Sequence, residues 1–240
     1  MEDDLSQREK KITLEREFLD IAAHQMQAPL AYLKKQIDSL LSDRTEKLSV
    51  QQIEAINKIS RTNEDSIALI SNLLAVAKIE GGKLKLNKKK INPVVLVRKV
   101  MRQYEGSVTE RGGIMFFSQS KGKMPKVLLD EILFAQVVDN LISNAIKYNS
   151  TDTRISVNVK ATEESLIVSV NNRGPAIPRK VQVKLFSKFE RTDTKVSKQT
   201  PGTGLGLYIS EQIVDLHGGR IKLESNDEKG TTFYIEIPIE

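Results

Sequence analysis

At Gly81-Gly82 the period of the apolar residues changes, and with it the kind of structure the chain can form. Before this point Met26, Leu30, Leu33, Ile37 and Leu40 recur at alternating intervals of four and three. Ile67, Ile70, Leu74 and Ala77 do the same. This is the stripe of a packed helix, because only a period near 3.6 brings such residues to one face. The polar segment Ser42–Ser49 between the stripes suits a turn, and the glycine pair suits a helix stop. After the pair, Ile155, Val157 and Val159 alternate with polar neighbours, as do Ile221 and Leu223, then Phe233, Ile235 and Ile237. Alternation at period two marks strands with one buried face, and Leu166–Val170 reads as a more deeply buried strand. Helical stretches are expected near 94–110, 130–148 and 203–216.

Two domains follow. Residues 1–82 are expected to form an all-α helical hairpin with a short coiled-coil lead-in carried by Leu5 and Ile12. Two arms bury only one narrow stripe each, so the hairpin is expected to pair with a second copy as a four-helix bundle. Residues 83–240 are expected to form an α+β sandwich, a sheet covered on one face by helices.

Charge separates the same halves. Residues 1–80 hold 11 basic against 14 acidic side chains, whereas the whole chain of 240 residues is +6. The second part is therefore strongly basic and suited to an anionic ligand. Its densest run, Lys83–Lys90, lacks interleaved aromatics and reads as a solvated strand edge rather than a nucleic-acid surface. There is no cysteine, which excludes disulfides and thiolate metal sites. No window approaches the roughly 18 apolar residues of a membrane span, and the acidic, polar start is unlike a signal peptide. The expectation is a soluble, cytoplasmic chain, with any membrane anchor in a longer parent.

Three segments carry candidate chemistry. In Gln136–Tyr148, Asn140 and Asn144 lie four apart on one helical face, with Lys147 and Tyr148 following. Amide oxygens beside an ammonium suit Mg²⁺ shared with phosphates, since that ion retains water and takes few protein ligands. Asn172-Arg173-Gly174-Pro175-Ala176-Ile177 follows a buried strand and reads as a tight turn open to a ligand. Gly202-Thr203-Gly204-Leu205-Gly206-Leu207 leads into a helix, where backbone N–H groups can cradle phosphate. It is no Walker loop, because Gly-Lys-Ser/Thr is missing.

In this order the segments resemble the ATP-binding domain shared by histidine kinases, the Hsp90 chaperone, type II topoisomerases and MutL. The resemblance covers roughly residues 90–240. It implies that Asn140, Asn144 and Lys147 meet Mg²⁺ and phosphates, that the 172–177 turn meets adenine, and that the 202–207 box lies beneath the phosphates. Phe186–Arg191 resembles the phenylalanine box of histidine kinases, which implies a phosphate contact for Arg191 and a mobile lid over about 187–201. Gly230-Thr231-Thr232-Phe233 resembles the closing strand motif, which implies that Thr231 lies near adenine.

Only two histidines occur. His24 lies in a segment, Phe18–Leu30, that resembles the phosphoacceptor box of sensor histidine kinases, commonly H-E-L-R-T-P-L. Pro29 removes a backbone donor one turn further on and leaves the Gln25 carbonyl unpaired. The resemblance implies autophosphorylation of His24 from ATP and Mg²⁺, then transfer to an aspartate of a response-regulator receiver domain acting in trans. His217 is expected to be structural.

Four departures modify that expectation. Gln25 replaces the usual acidic residue beside the acceptor, so it can orient the imidazole but supplies no charge. Ala28 replaces a water-positioning Thr or Asn, which implies weak phosphatase activity. Asn172 replaces the adenine-reading aspartate, at a cost of about tenfold in affinity, and Ala176 stands where glycine is usual. Gln136 replaces the glutamate of hydrolysing relatives and argues against steady ATPase turnover. The alternative is a pseudokinase or phosphotransfer scaffold with impaired ATP binding.

Overall fold

The computed structural model describes residues 22–23, 25–42, 48–110, 112–120, 122, 124–150, 154–190 and 202–239. Contacts divide the chain into two compact units, Met1–Leu84 and Lys85–Glu240. The expected coiled-coil lead-in, His24, Arg191 and most of the expected lid fall outside the described residues.

In the first unit, residues 25–42 form α1 and Val50–Glu80 form α2. Ser49 starts α2 through a capping box. Its hydroxyl accepts from Gln52 N, and the Gln52 side chain accepts from Ser49 N at 2.8 Å. Two otherwise orphaned donors are thereby satisfied. The helix ends at the glycine pair. Gly82 adopts φ +63, which lets Gly82 N donate to Ile79 O and Lys83 N to Lys78 O.

Ala23, Ile70 and Leu74 form a small buried cluster against Leu30, and Ile37 and Ala77 are buried as well. By contrast Met26, Leu33 and Leu40 of the α1 stripe are 54%, 49% and 55% exposed. One hairpin therefore buries only part of the stripe that the spacing predicts. A polar layer crosses the hairpin too. Gln27 Nε2 donates to Ser71 Oγ, Asn63 Nδ2 donates to Leu30 O at 3.0 Å, and Lys34 pairs with Glu64. Asn63 is buried, and among the described residues its Oδ1 alone is a buried side-chain polar atom without a partner.

The second unit is built on a five-stranded sheet. Its strands are β2 (Ile114–Gln119), β4 (Arg154–Ala161), β5 (Ser165–Asn172), β6 (Arg220–Asn226) and β7 (Gly230–Pro238). They lie in the order β2-β4-β5-β7-β6, with β2 parallel to β4 and every other pair antiparallel. A separate ribbon pairs β1 (Lys89–Ile91) with β3 (Val127–Leu129). Among the described residues the helices are α3 (Pro93–Arg102), α4 (Glu105–Glu110), α5 (Glu131–Tyr148), the single turn α6 (Arg179–Gln182) and α7 (Gly206–Leu216).

The alternation is the reason this sheet has one covered face. Ile155, Val157, Val159, Leu166, Val168, Val170, Ile235 and Ile237 are buried, while Ser156, Asn158, Ser169 and Tyr234 between them remain partly exposed. Against the apolar face α5 buries Phe134, Val137, Val138, Leu141 and Ile142 completely, and α7 adds Ile209, Ile213 and Val214. At about 1.5–3 kcal/mol for each fully buried large apolar side chain, this layer dominates the unit's stability. The helical hairpin followed by a helix-covered sheet is the expected fold. The lysine run departs from expectation, because only Lys89 and Lys90 enter a strand and 83–88 form no regular element.

Asp130 and His217 tie the helical layer together. Asp130 Oδ1 caps α5 by accepting from Ile132 N and Leu133 N, and its Oδ2 accepts from Asn87 N at 2.8 Å. Asp130 N donates to His217 Nε2 at 3.0 Å, and His217 Nδ1–H donates to Ile213 O at 2.8 Å. His217 is thus held as the neutral Nδ1–H tautomer at 4% exposure. Burial pushes its pKa down, with Lys88 adding to the effect and the Ile213 carbonyl and Asp130 opposing it.

Two predictions follow. Asn63→Leu removes the orphaned acceptor together with the bond from Nδ2 to Leu30 O. Relief of the unmet group, about 1–3 kcal/mol, exceeds the net worth of that bond, about 0.5–1.5 kcal/mol, so the thermal midpoint should rise modestly. Since folding lowers the pKa of His217, its contribution is complete above the unfolded value of about 6.5 and is lost as pH falls toward the folded value. Chemical denaturation across that window should show declining stability in the intact chain and a flatter profile in His217→Gln.

Candidate nucleotide site

Three walls meet where α5 ends, β5 ends and α7 begins. The first is the polar face of α5. Asn140 Nδ2 donates to the buried Ser210 Oγ on α7 at 2.8 Å, and Asn140 Oδ1 accepts from Asn144 Nδ2 at 3.4 Å. Asn140 therefore bridges the two helices. Asn144 turns its amide nitrogen toward Asn140, which leaves its own Oδ1 on the opposite side. Both are half-buried, Lys147 is exposed one turn later, and Tyr148 closes the helix.

The second wall is the turn after β5, stitched to the end of α5. Asn172 Nδ2 donates to Tyr148 O at 3.3 Å, Arg173 N donates to Asn149 Oδ1 at 2.9 Å, and Ser150 N donates to Arg173 O at 2.8 Å. The approach is close enough to require glycine at 174, where a Cβ would stand 2.1 Å from Tyr148 O. Ala176 is different. Among the described non-glycine residues only Phe189 has a positive φ, so position 176, where glycine is usual, does not require it on backbone grounds. Ile177 is pinned on both sides, its N–H donating to Ser225 Oγ at 2.9 Å and its carbonyl accepting from Gln182 Nε2 at 2.7 Å. Thr231 opposes Asn172 in the β5–β7 register and is buried, its hydroxyl 2.7 Å from Ser225 Oγ.

The third wall is the glycine box. Gly202 is exposed, Thr203 Oγ1 accepts from Leu205 N at 3.2 Å, and Leu205 is fully buried as an anchor. Gly204 adopts φ +70, and a Cβ there would meet the Phe189 backbone at 2.8 Å. At Gly206 a Cβ would fall 2.3 Å from Asn140 Oδ1. Both glycines are thus demanded by close packing, one against the 186–190 segment and one against α5. Phe186 packs edge-on against Phe233, and Lys188 Nζ lies over the Tyr208 ring. No side chain caps the start of α7, so the first-turn N–H groups of Gly206 and Leu207 lack intrahelical partners and are available as donors.

The structure thus gathers Asn140, Asn144, Lys147, Tyr148, Asn172, Gly174, Ile177, Thr231 and the 203–207 box around one region of the second unit. Ala176 lies in the same turn. Gln25 is exposed on the helical segment of the first unit, while His24 and Arg191 lie outside the described residues. Sequence reasoning missed Ser210, Ser225, Asn149 and Gln182. Ser225 lies two residues after Leu223 and so shares its half-buried face of β6, a signal that was present; the other three lack any local one.

The chemistry of this donor set fits Mg²⁺ with a polyphosphate. Asn144 offers a neutral oxygen, the α7 start offers N–H donors, and Lys147 offers a cation, without the carboxylate cage of an all-protein Mg²⁺ site. Gly206 removes the side chain that would otherwise crowd Asn140.

Comparison with known proteins agrees with this geometry. The family described as histidine kinase-, DNA gyrase B- and HSP90-like ATPase matches residues 129–240. The sensor histidine kinase WalK of Bacillus subtilis is 29% identical over 98% of this chain and 38% of its own length. The circadian input-output histidine kinase CikA of Synechococcus elongatus is 31% identical over 92% of this chain and 30% of its own. The chain therefore spans well under half the length of these curated relatives. Among solved structures, full-length ShkA in complex with AMPPNP superposes with a TM-score of 0.74 at 21% identity, over 93% of this chain and 46% of that one. Histidine kinase ThkA in complex with the response regulator TrrA gives 0.61 at 23% identity, over 99% and 66%. The catalytic domain of ThkA gives 0.57 at 32% identity, over 64% of this chain and 99% of that domain. With the ThkA domain matched almost end to end at this identity, and the site's three walls in the same polypeptide, the chain belongs to the histidine kinase family.

Proposed function

We propose that this chain is an autokinase that transfers the γ-phosphoryl group of ATP to His24 and then to an aspartate of a response-regulator receiver domain. The observation that carries the reading is the convergence of Asn144, the 172–177 turn and the open start of α7 on one region of a histidine kinase ATPase domain. Asn144 Oδ1 is the protein ligand for Mg²⁺, and Asn140 holds it in place from its bridge to Ser210. When bound, the ion neutralises phosphate charge as the phosphoryl group moves. The N–H groups of Gly206 and Leu207, with Lys147 and Arg191, bind the polyphosphate and offset charge on its transferring end. Asn172, Gly174, Ala176, Ile177 and Thr231 enclose the base.

In the transfer, the unprotonated imidazole nitrogen of His24 forms a bond to the γ-phosphorus as the bond to the β,γ-bridging oxygen breaks and ADP leaves. The N–H on the other ring nitrogen needs an acceptor, a role the neutral Gln25 amide oxygen can fill. It carries no charge, so the imidazolium that develops is stabilised less than beside a carboxylate. The phosphoryl group then passes from His24 to the regulator's aspartate. Exposed Ala28 offers no group to position a hydrolytic water, so hydrolysis of the regulator's aspartyl phosphate is weak.

The exposed Met26, Leu33 and Leu40 support a homodimer through residues 1–82, since a second hairpin covers the stripe that one leaves open. Among the described residues no helix is long and apolar enough to cross a membrane. An ATP-consuming role places this chain in the cytoplasm, whether or not a longer parent is anchored.

Incubation with Mg²⁺ and γ-labelled ATP tests the reading. The intact chain should acquire label that is lost in acid and kept in alkali, and His24→Ala should acquire none. Absence of acid-labile label on the intact chain refutes it. Asn144→Ala should weaken Mg²⁺-dependent ATP binding by roughly tenfold or more, about 1.4 kcal/mol per decade. The variant should bind ATP with and without Mg²⁺ almost alike, as measured by titration calorimetry.

A further inference from the structure

At the base end of the site three strands place three polar side chains in one row. Asn172 on β5 opposes Thr231 on β7, and Thr231 opposes Ser225 on β6. Asn172 and Thr231 are buried, at 4% and 3% exposure, so each must be hydrogen-bonded or matched to a ligand. Each also has a partner that restricts how it presents itself. The Tyr148 carbonyl can only accept, so the amide nitrogen of Asn172 must face it at 3.3 Å. That leaves Asn172 Oδ1, an acceptor, turned away from Tyr148.

Thr231 pairs with Ser225, and in this hydroxyl pair either oxygen can be the donor. Ser225 Oγ accepts from Ile177 N at 2.9 Å and lies 2.7 Å from Thr231 Oγ1. A hydroxyl has one proton. When Ser225 donates that proton to Thr231 Oγ1, Thr231 keeps its own O–H as a donor.

Resting on the purine-nucleotide reading of this site, we propose that Ser225 is a positioning residue that presents the Thr231 hydroxyl as a donor beside the Asn172 acceptor and so selects adenine over guanine. An acceptor beside a donor complements the exocyclic amine and N1 of adenine. Guanine reverses both, offering a carbonyl oxygen and an N–H, and would leave the pair facing like groups. Two oriented neutral side chains thereby do what a carboxylate does by charge, which is how Asn172 can stand in a selective base pocket. Neither Ser225 nor the Tyr148 carbonyl touches the base; each acts through its neighbour.

Equilibrium binding of ATP and of GTP, measured on the intact chain and its variants by titration calorimetry, tests this. The intact chain should prefer ATP. Ser225→Ala should lose about five- to tenfold in ATP affinity, the range for one hydrogen bond, and the ATP-to-GTP ratio should fall by a similar factor. Ser225→Thr, which keeps the hydroxyl on a β-branched strand residue, should restore both. At saturating ATP the autophosphorylation rate of Ser225→Ala should match the intact chain, so the effect lies in KM. Ser225→Cys, close in volume and a poor donor, carries the same expectation if the alanine variant loses its cooperative unfolding transition. An unchanged ATP-to-GTP ratio, whether through no loss or through equal losses for both nucleotides, overturns the positioning role while leaving the kinase reading intact. Failure of the threonine variant to rescue overturns it too. An intact chain that binds neither nucleotide overturns the purine reading itself and this inference with it.

Discussion

The hydrogen bond from Asp130 N to His217 Nε2 joins the start of α5 to the end of α7, and the nucleotide site depends on those two helices keeping their relation. Asp130 caps α5 with one carboxylate oxygen and holds Asn87 N with the other. Burial tends to raise its pKa, and the three backbone N–H groups outweigh that and hold it low. The imidazole then passes the constraint back into α7 through Ile213 O. A second bridge, Asn140 to Ser210, lies about three turns further along α5. Two polar bridges on one helix pair prevent sliding and rotation, which apolar contacts alone resist poorly because they are non-directional.

That arrangement explains why glycine is needed at some positions of the site and not at others. Gly206 must lack a side chain because Asn140 Oδ1 occupies the space, and Gly174 must lack one because the Tyr148 carbonyl does. Ala176 meets no such demand, since its backbone stays outside the left-handed region. The departure that looks most damaging in the adenine turn is therefore compatible with the fold. Asn172 is likewise integrated, because its amide nitrogen donates to Tyr148 O, a bond that a carboxylate cannot make.

Much of this was legible beforehand. The stripe on α1, the glycine stop after α2 and the alternating β4, β6 and β7 follow from local spacing, and the glycine box announced the start of α7. β2 was not legible, because Ile114, Phe116 and Ser118 face outward on an edge strand and blur the alternation of IMFFSQ. It belongs to the sheet only through its parallel register with β4, 40 residues later in sequence. The α1 stripe is only partly buried within one hairpin, since Met26, Leu33 and Leu40 stay exposed where a single chain has nothing to place against them.

By itself the sequence determined the two-part architecture, the glycine stop after α2, and the presence of a histidine and three nucleotide-type segments in order. Those are properties of residues within a few turns of one another, governed by period, capping and backbone freedom. The stretch expected at 94–110 is instead two helices, Pro93–Arg102 and Glu105–Glu110. Only the tertiary structure decided which polar groups are committed to the scaffold and which stay open to a ligand. Asn140 meets a partner 70 residues away, Asn172 one 24 away and Ile177 one 48 away. A side chain's hydrogen-bonding capacity is written in its identity, but the direction in which that capacity points depends on neighbours that only folding brings near.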